Sequence, residues 1–305
     1  MRIFVAGATG VIGARAIPLL VAAGHDVTAV GRTPDKRALL ERLGARAVTV
    51  DLFDPGAVHR AVVGYDTIVN LATAVPAPVW RGLLPGAWRE MDRVRRLVSA
   101  NLVEAAIAAG TAKRFIQESF APIYADSGDR WIDESSPVQP GKYNRSVLDA
   151  ESNAERFSRA GGSAVVLRFG GLYGPNDPAT AQILDTVRRG WFPLFGRPES
   201  WFSFVAFDDA AAAVAAALGV PDGIYNVVER EPLRRRELAD GLARLLGVKP
   251  PRFLPSWTAR LAGSLGETLS RSLRISSRKL EQASEWSPKF ATTLDGLAVV
   301  VARTT

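Results

Sequence analysis

Arg2–Ala6 is an apolar run of strand length that passes without a break into Gly7-Ala8-Thr9-Gly10-Val11-Ile12-Gly13, and a helix-period pattern carries on to Ala23. No other segment restricts the fold so strongly. In this order a strand, a glycine turn and a helix make a cradle. Gly7 permits a tight turn, Gly10 lets the backbone approach a diphosphate with no Cβ in the way, and Gly13 allows the helix to pack closely on the strand. The unpaired N–H groups at the helix start add partial positive charge. Short apolar strands and amphipathic helices then alternate. Strands are expected at His25–Val30, Arg46–Val50, Thr67–Leu71, Arg114–Gln117 and Ala164–Phe169. Helices are expected at Pro34–Leu43, Pro55–Val63, Arg89–Ala109 and Asn144–Arg159.

Strands separated by helix-length crossovers build right-handed βαβ units and a parallel sheet. The fold class is therefore α/β, a Rossmann-type doubly wound parallel sheet with a smaller C-terminal substrate lobe. Residues 1–169 read as the NAD(P)-binding half. Residues 170–305 mix sheet-completing elements, such as Asp208–Leu218 and Ile224–Val228, with the lobe. With 305 residues the chain can bury about three quarters of its unfolded surface. It has no cysteine, which excludes a disulfide scaffold and a thiolate nucleophile. The two histidines, His25 and His59, are too few for a histidine metal site, so no metal is expected. No apolar run reaches about 18 residues, so no membrane contact is expected, and the cytoplasm is the expected location. The net charge of +7 is spread along the chain and interleaved with acids, which argues against nucleic acid. Arg271, Arg274, Arg278 and Lys279 form the one modest basic stretch.

An acid at the end of the second strand would bind the ribose 2′-hydroxyl of NAD. This chain has Gly31-Arg32-Thr33 there, and a guanidinium suits a 2′-phosphate. NADP(H) is thus expected in preference to NAD(H).

Several segments in order make the chain resemble the extended, or atypical, short-chain dehydrogenase/reductases, the group that includes NAD-dependent epimerases and dehydratases. They are GATGVIG; Asp51-Leu52; Asn70-Leu71-Ala72; Leu167 to Pro175; Phe204 to Asp209; Gly223 to Val227; and Trp286-Ser287-Pro288. The resemblance implies cofactor contacts from Gly7, Ala8, Thr9, Gly10, Val11, Ile12 and Gly13 at the phosphates. It implies Asp51 and Leu52 at the adenine, Leu71, Ala72 and Thr73 beside the cofactor, and Phe169, Gly170 and Leu172 near the nicotinamide. It also implies a homodimer through the helices near Arg89–Ala109 and Asn144–Arg159.

The catalytic motifs depart from that pattern. Active relatives carry a serine or threonine four residues before the tyrosine of a segment matched here by Ser119 to Tyr124, and Phe120 stands in that place. The YxxxK motif is matched by Tyr143, but Val147 replaces the lysine that would lower the phenol and hold the ribose. Tyr143 and Ser119 are the candidate catalytic residues. Ser119 can act only where the strand is irregular, because a one-residue shift turns a side chain to the other face. Glu118, Asp126, Asp129, Asp133 and Glu134 could supply an acid instead, or form a solvated loop. Asp208 and Asp209 are expected to cap their helix. Phe120, Tyr124, Trp131, Tyr173 and Trp201 are expected to line a pocket for a small hydrophobic or aromatic substrate, with Trp80 and Trp88 nearby. Two functions follow. One is an oxidoreductase acting on a carbonyl or hydroxyl with an altered active site. The other is a cofactor-binding protein without dehydrogenase chemistry.

Overall fold

The computed structural model describes residues 1–76, 79–84 and 86–302, and of residues 79 and 80 the backbone alone; the side chain of Trp80 lies outside this description. The first half of the chain alternates β1 (Arg2–Ala6), α1 (Gly13–Ala22), β2 (Asp26–Val30), α2 (Pro34–Arg42), β3 (Arg46–Val48), α3 (Pro55–Val62) and β4 (Thr67–Asn70). It continues with α4 (Arg89–Arg93), α5 (Ser99–Ala109), β5 (Arg114–Phe120), α6 (Ser146–Arg159) and β6 (Ser163–Phe169). The second half holds α7 (Pro178–Arg188), α8 (Phe207–Ala216), β7 (Gly223–Val227) and α9 (Arg235–Leu246). It ends in α10 (Thr258–Leu261), α11 (Gly263–Leu269), α12 (Arg278–Ala283) and α13 (Thr293–Ala302).

The seven main strands form one parallel sheet in the order β7-β6-β5-β4-β1-β2-β3. The chain reverses direction across the sheet between β1 and β4, and ligands of such sheets bind at the carboxyl ends of the strands beside this switch. Near-continuous burial of β1, β4 and β6 explains their unbroken apolar runs, since helices cover both faces. Ile17, Leu20 and Leu40 pack with Ala210 and Val214 on one face. Val58, Leu102, Val103 and Phe157 pack on the other. A third core, around Phe192, Leu238, Leu242 and Leu297, belongs to the lobe.

Helix starts follow local chemistry. Thr33 caps α2 ahead of Pro34, and Asp54 caps α3 ahead of Pro55. Two elements differ from expectation. The helix expected at Arg89–Ala109 contains a π-turn, Val94–Val98, between α4 and α5. Strand β5 runs on through Phe120 rather than stopping at Gln117. Its extension carries a charge, Glu118, which is tolerated because Arg95 in the π-turn faces it at 3.6 Å with both groups buried.

Candidate active site

The glycine turn adopts the geometry its spacing implies. Gly7 has φ +75°, and a Cβ there would lie 2.2 Å from the carbonyl carbon of Leu71. The turn therefore presses against the end of β4. A Cβ on Gly13 would lie 2.5 Å from Gly7 O and 2.7 Å from Ala8 Cα, so helix and strand meet too closely for alanine. Gly10 donates to Gly7 O at 3.0 Å, and a Cβ there would meet only that oxygen, at 3.3 Å, leaving open space in front. No side chain caps α1. The N–H groups of Ala14, Arg15 and Ala16 already donate to Gly10 O and Ile12 O, so the donors left for a diphosphate are those of Val11 and Ile12, just ahead of the helix.

Ala8 and Ile12 are buried as props of the turn, while Thr9 is half-buried and Val11 exposed. Leu71 is buried, Ala72 half-buried and Thr73 exposed at the end of β4. Asp51 is exposed, and its Oδ1 accepts the N–H of Phe53 at 2.9 Å, with Leu52 half-buried beside it. Arg32 is exposed at the end of β2, immediately before the cap of α2. Phe169 is buried in the core at the end of β6. A Cβ on Gly170 would lie 2.8 Å from Ser203 O, and Leu172 is half-buried. These residues together fit a nicotinamide dinucleotide laid over the strand ends.

Tyr143 stands just before α6, 8% exposed, with its ring edge-on to Trp88 at a centroid distance of 4.9 Å. Its backbone N–H donates to Ser264 Oγ of α11 at 3.2 Å, tying the site to the lobe. Among the described residues its hydroxyl has no hydrogen-bond partner. Burial pushes the phenol up, and the charges of Arg95 and Arg271 pull against that rise. Val147 is fully buried one turn on, so that turn brings no cation to the phenol.

The structure does not bring Ser119 to Tyr143. Strand β5 stays regular, with Ser119 opposite Arg168 and Phe120 opposite Phe169, so the irregularity that would re-aim Ser119 is absent. Ser119 Oγ instead donates to Glu151 Oε1 at 2.5 Å. Glu151 also holds Arg168 in a two-bond fork, at 2.8 and 2.7 Å. Burial alone would lower Arg168, but the bonds and charge of Glu151 outweigh it and hold the guanidinium above its usual range. Arg168 donates in turn to Tyr124 Oη at 2.8 Å, which donates to Asn226 Oδ1 at 2.8 Å.

Tyr124 is therefore a fully buried member of this network rather than a pocket wall, its phenol pushed up to about 12 by burial. Tyr173 is likewise core, 3% exposed and edge-on to Phe204, with its hydroxyl against Gly296. Trp131 and Trp201 sandwich Arg274, whose guanidinium carbon lies 4.1 and 4.3 Å from the two rings. Trp201 Nε1 donates to the exposed Asp129. Both rings thus serve a cation–π stack at the lobe surface. Phe120, half-buried at the tip of β5, is the aromatic that remains at the strand ends.

Of the acids near the site, only Glu118 is buried without full satisfaction. Its Oε2 and the Nε of Arg95 both lack partners. Asp126 accepts from Ser272 N, Asp133 from Ser135 and Ser136, and Glu134 from Asn226 N, so these three build loops. Asp208 and Asp209 do not cap α8. Asp208 pairs with Arg15 and Asp209 accepts the N–H of Lys289. In the basic stretch, Arg271 is bound to the carbonyls of Tyr124 and Gln139, and Lys279 to that of Ile224. Sequence reasoning missed Arg95 and Glu151. Glu151 follows Tyr143 at two helical turns, i+8, a spacing that could have marked it.

Among the described residues no group of three His, Asp or Glu side chains could hold a metal, and no helix is long and apolar enough to cross a membrane.

A parallel sheet with a glycine-turn cradle at its switch point, and a buried tyrosine over the strand ends, defines an extended short-chain dehydrogenase/reductase. The profile of the NAD dependent epimerase/dehydratase family matches residues 3–227. The chain belongs to that family. It is 34% identical to the 3-diazoavenalumate denitrifying reductase of a Streptomyces species, over 97% of this chain and 99% of that protein. It is 26% identical to the 4-hydroxy-2-methyl-3-oxo-4-farnesyl-3,4-dihydroquinoline-1-oxide ketoreductase of Stigmatella aurantiaca, over 90% and 82%. The human epimerase family protein SDR39U1 with NADPH superposes with a TM-score of 0.80 at 22% identity, over 99% of each chain, which is a likeness of fold.

Proposed function

We propose that the protein is an NADPH-dependent reductase acting on the carbonyl, or a comparably polarised group, of a small hydrophobic or aromatic molecule, with Tyr143 as proton donor. The carrying observation is the Tyr143 hydroxyl, buried and, among the described residues, without a partner above the carboxyl ends of the strands. A buried unpaired hydroxyl costs about 1–3 kcal/mol, which a ligand oxygen accepting its proton would offset. When bound, a reduced nicotinamide supplies hydride. The chain's own part is to orient and protonate. The glycine turn and Gly170 fix the backbone along the cofactor, Phe120 keeps the strand ends apolar, and the O–H of Tyr143 gives its proton to the substrate oxygen. Proton donation of this kind contributes about 10²–10⁴ in rate. Arg32 at the end of β2, with no acid beside it, supports NADPH over NADH. Both reductase relatives named above support reduction as the direction.

The test is to follow the reduced-nicotinamide absorbance band with NADPH and a panel of hydrophobic ketones and diazo compounds. Turnover that falls at least about tenfold in Tyr143→Phe supports the reading. Tight NADPH binding with no turnover on any compound supports instead the cofactor-binding protein, a reading that the buried Val147 in the lysine position favours.

A further inference from the structure

Among the described residues, buried polar atoms without partners recur at Tyr143, in the residues that follow it into α6, and in the π-turn and β5, which both pack against α6. They include Arg95 Nε, Glu118 Oε2, Tyr143 Oη, both amide atoms of Asn144, and Ser146 Oγ. Native interiors leave few such atoms, and each calls for a reason. Arg95 is the cation among them. It is 5% exposed and sits in the π-turn, a rare distortion frequent at functional sites. Helix α6 packs against this turn, and Trp88, which immediately precedes α4, lies on the ring of Tyr143. At 3.6 Å the contact of Arg95 with Glu118 is too long for a hydrogen bond, so neither group is saturated.

We propose that Arg95 supplies, from the π-turn, the positive charge that Val147 no longer brings to Tyr143, and that Glu118 sets how much of that charge the phenol feels. This rests on the reductase reading above. As hydride reaches the carbonyl carbon, the O–H bond of Tyr143 breaks and its proton forms the new O–H of the alcohol. The charge of Arg95 steadies the phenolate left behind until a solvent proton restores it. A cation near a phenol favours the ionised form and so offsets part of the burial penalty. Four charged groups bear on this arrangement. Arg95 comes from the π-turn, and Arg271 follows α11 but is already bound to two backbone carbonyls. Glu118 comes from β5. Glu151 of α6 is neutralised by Arg168.

The test reads the phenol directly. A polyfluorinated tyrosine, whose hydroxyl ionises within an accessible pH range, is placed at position 143 of the full chain, and its fluorine resonance is titrated without and with NADPH. Arg95→Met should raise the titration midpoint by about one unit or more, Glu118→Gln should lower it, and Arg95→Lys should stay near the parent. The Arg95→Met/Glu118→Gln pair, which leaves no lone buried charge, should titrate above Glu118→Gln alone and serves if Arg95→Met does not fold. Coincident midpoints in the parent, Arg95→Met and the double variant would overturn the proposal. On a substrate, Arg95→Met should cut kcat about tenfold with the KM for NADPH unchanged. A titration that shifts in a chain showing no turnover would leave the role of Arg95 standing and refute the reductase reading. Turnover with an unmoved titration would do the reverse.

Discussion

The buried carboxyl of Glu229 gives the most quantitative expectation. Its Oε1 accepts the N–H of Phe204 at 3.0 Å and its Oε2 the hydroxyl of Thr293 at 2.6 Å, with no cation paired to it among the described residues. Burial raises it from 4.5 to about 8, with the two hydrogen bonds pulling the other way. The fold therefore prefers the protonated form. Its contribution is fully present below the unfolded value of 4.5 and is lost as pH rises through about 8. At about 1.4 kcal/mol per unit, the loss across that window is on the order of 4–5 kcal/mol. That is a large share of a net stability of about 5–15 kcal/mol. Glu229→Gln keeps the bond from Phe204 N–H to its oxygen, lets its NH2 donate to Thr293 Oγ1 in place of accepting from it, and removes the titration. Urea unfolding of both proteins should show the variant gaining on the parent by about 1 kcal/mol or more per pH unit between about pH 5 and 8. Hydrogen exchange should locate the alkaline loosening where α13 meets strand Phe204–Ala206. Parallel stability-against-pH curves for parent and variant would refute the reasoning.

Five further substitutions have expected outcomes. Gly13→Ala places a Cβ against Gly7 O and should destabilise the fold by about 1–3 kcal/mol or more in a urea melt. Gly10→Ala meets only Gly7 O, at 3.3 Å, and should destabilise less than Gly13→Ala while weakening NADPH in calorimetry. Arg32→Asp should lose about 1–2 kcal/mol of NADPH affinity and gain NADH affinity, checked by fluorescence titration of both cofactors. Glu151→Ala strands the buried Arg168 and should cost about 3–5 kcal/mol of stability, whereas Ser119→Ala should cost about 1 kcal/mol with NADPH binding unchanged.

Local rules made the cofactor half legible. The apolar runs of β1, β4 and β6 match strands buried on both faces, and a glycine turn between strand and helix has few alternatives. Helix ends at Thr33-Pro34 and Asp54-Pro55 are written in two residues each. Around the phenol, what decides behaviour is pairing between distant segments. Glu118 read as a substitute acid or as part of a solvated loop, because its partner Arg95 lies on another element. Trp131 and Trp201 read as pocket walls because nothing local shows that Arg274 will slide between them. Tyr124 and Tyr173 looked like lining for the same reason: an aromatic ring has one composition signature whether its hydroxyl meets Arg168, a core or a ligand. The π-turn has no hydrophobic period of its own.

The sheet order has a consequence for anyone dividing this chain. Strand β7 pairs with β6, and α8 packs beside α1, yet both come from the second half. A fragment ended at Phe169 would leave an apolar parallel strand with a bare edge and strip the cover from the face holding Ile17 and Leu20. Such a piece should aggregate rather than bind dinucleotide. Swapping lobes between relatives would therefore succeed only with junctions that leave β7 and α8 attached to their sheet.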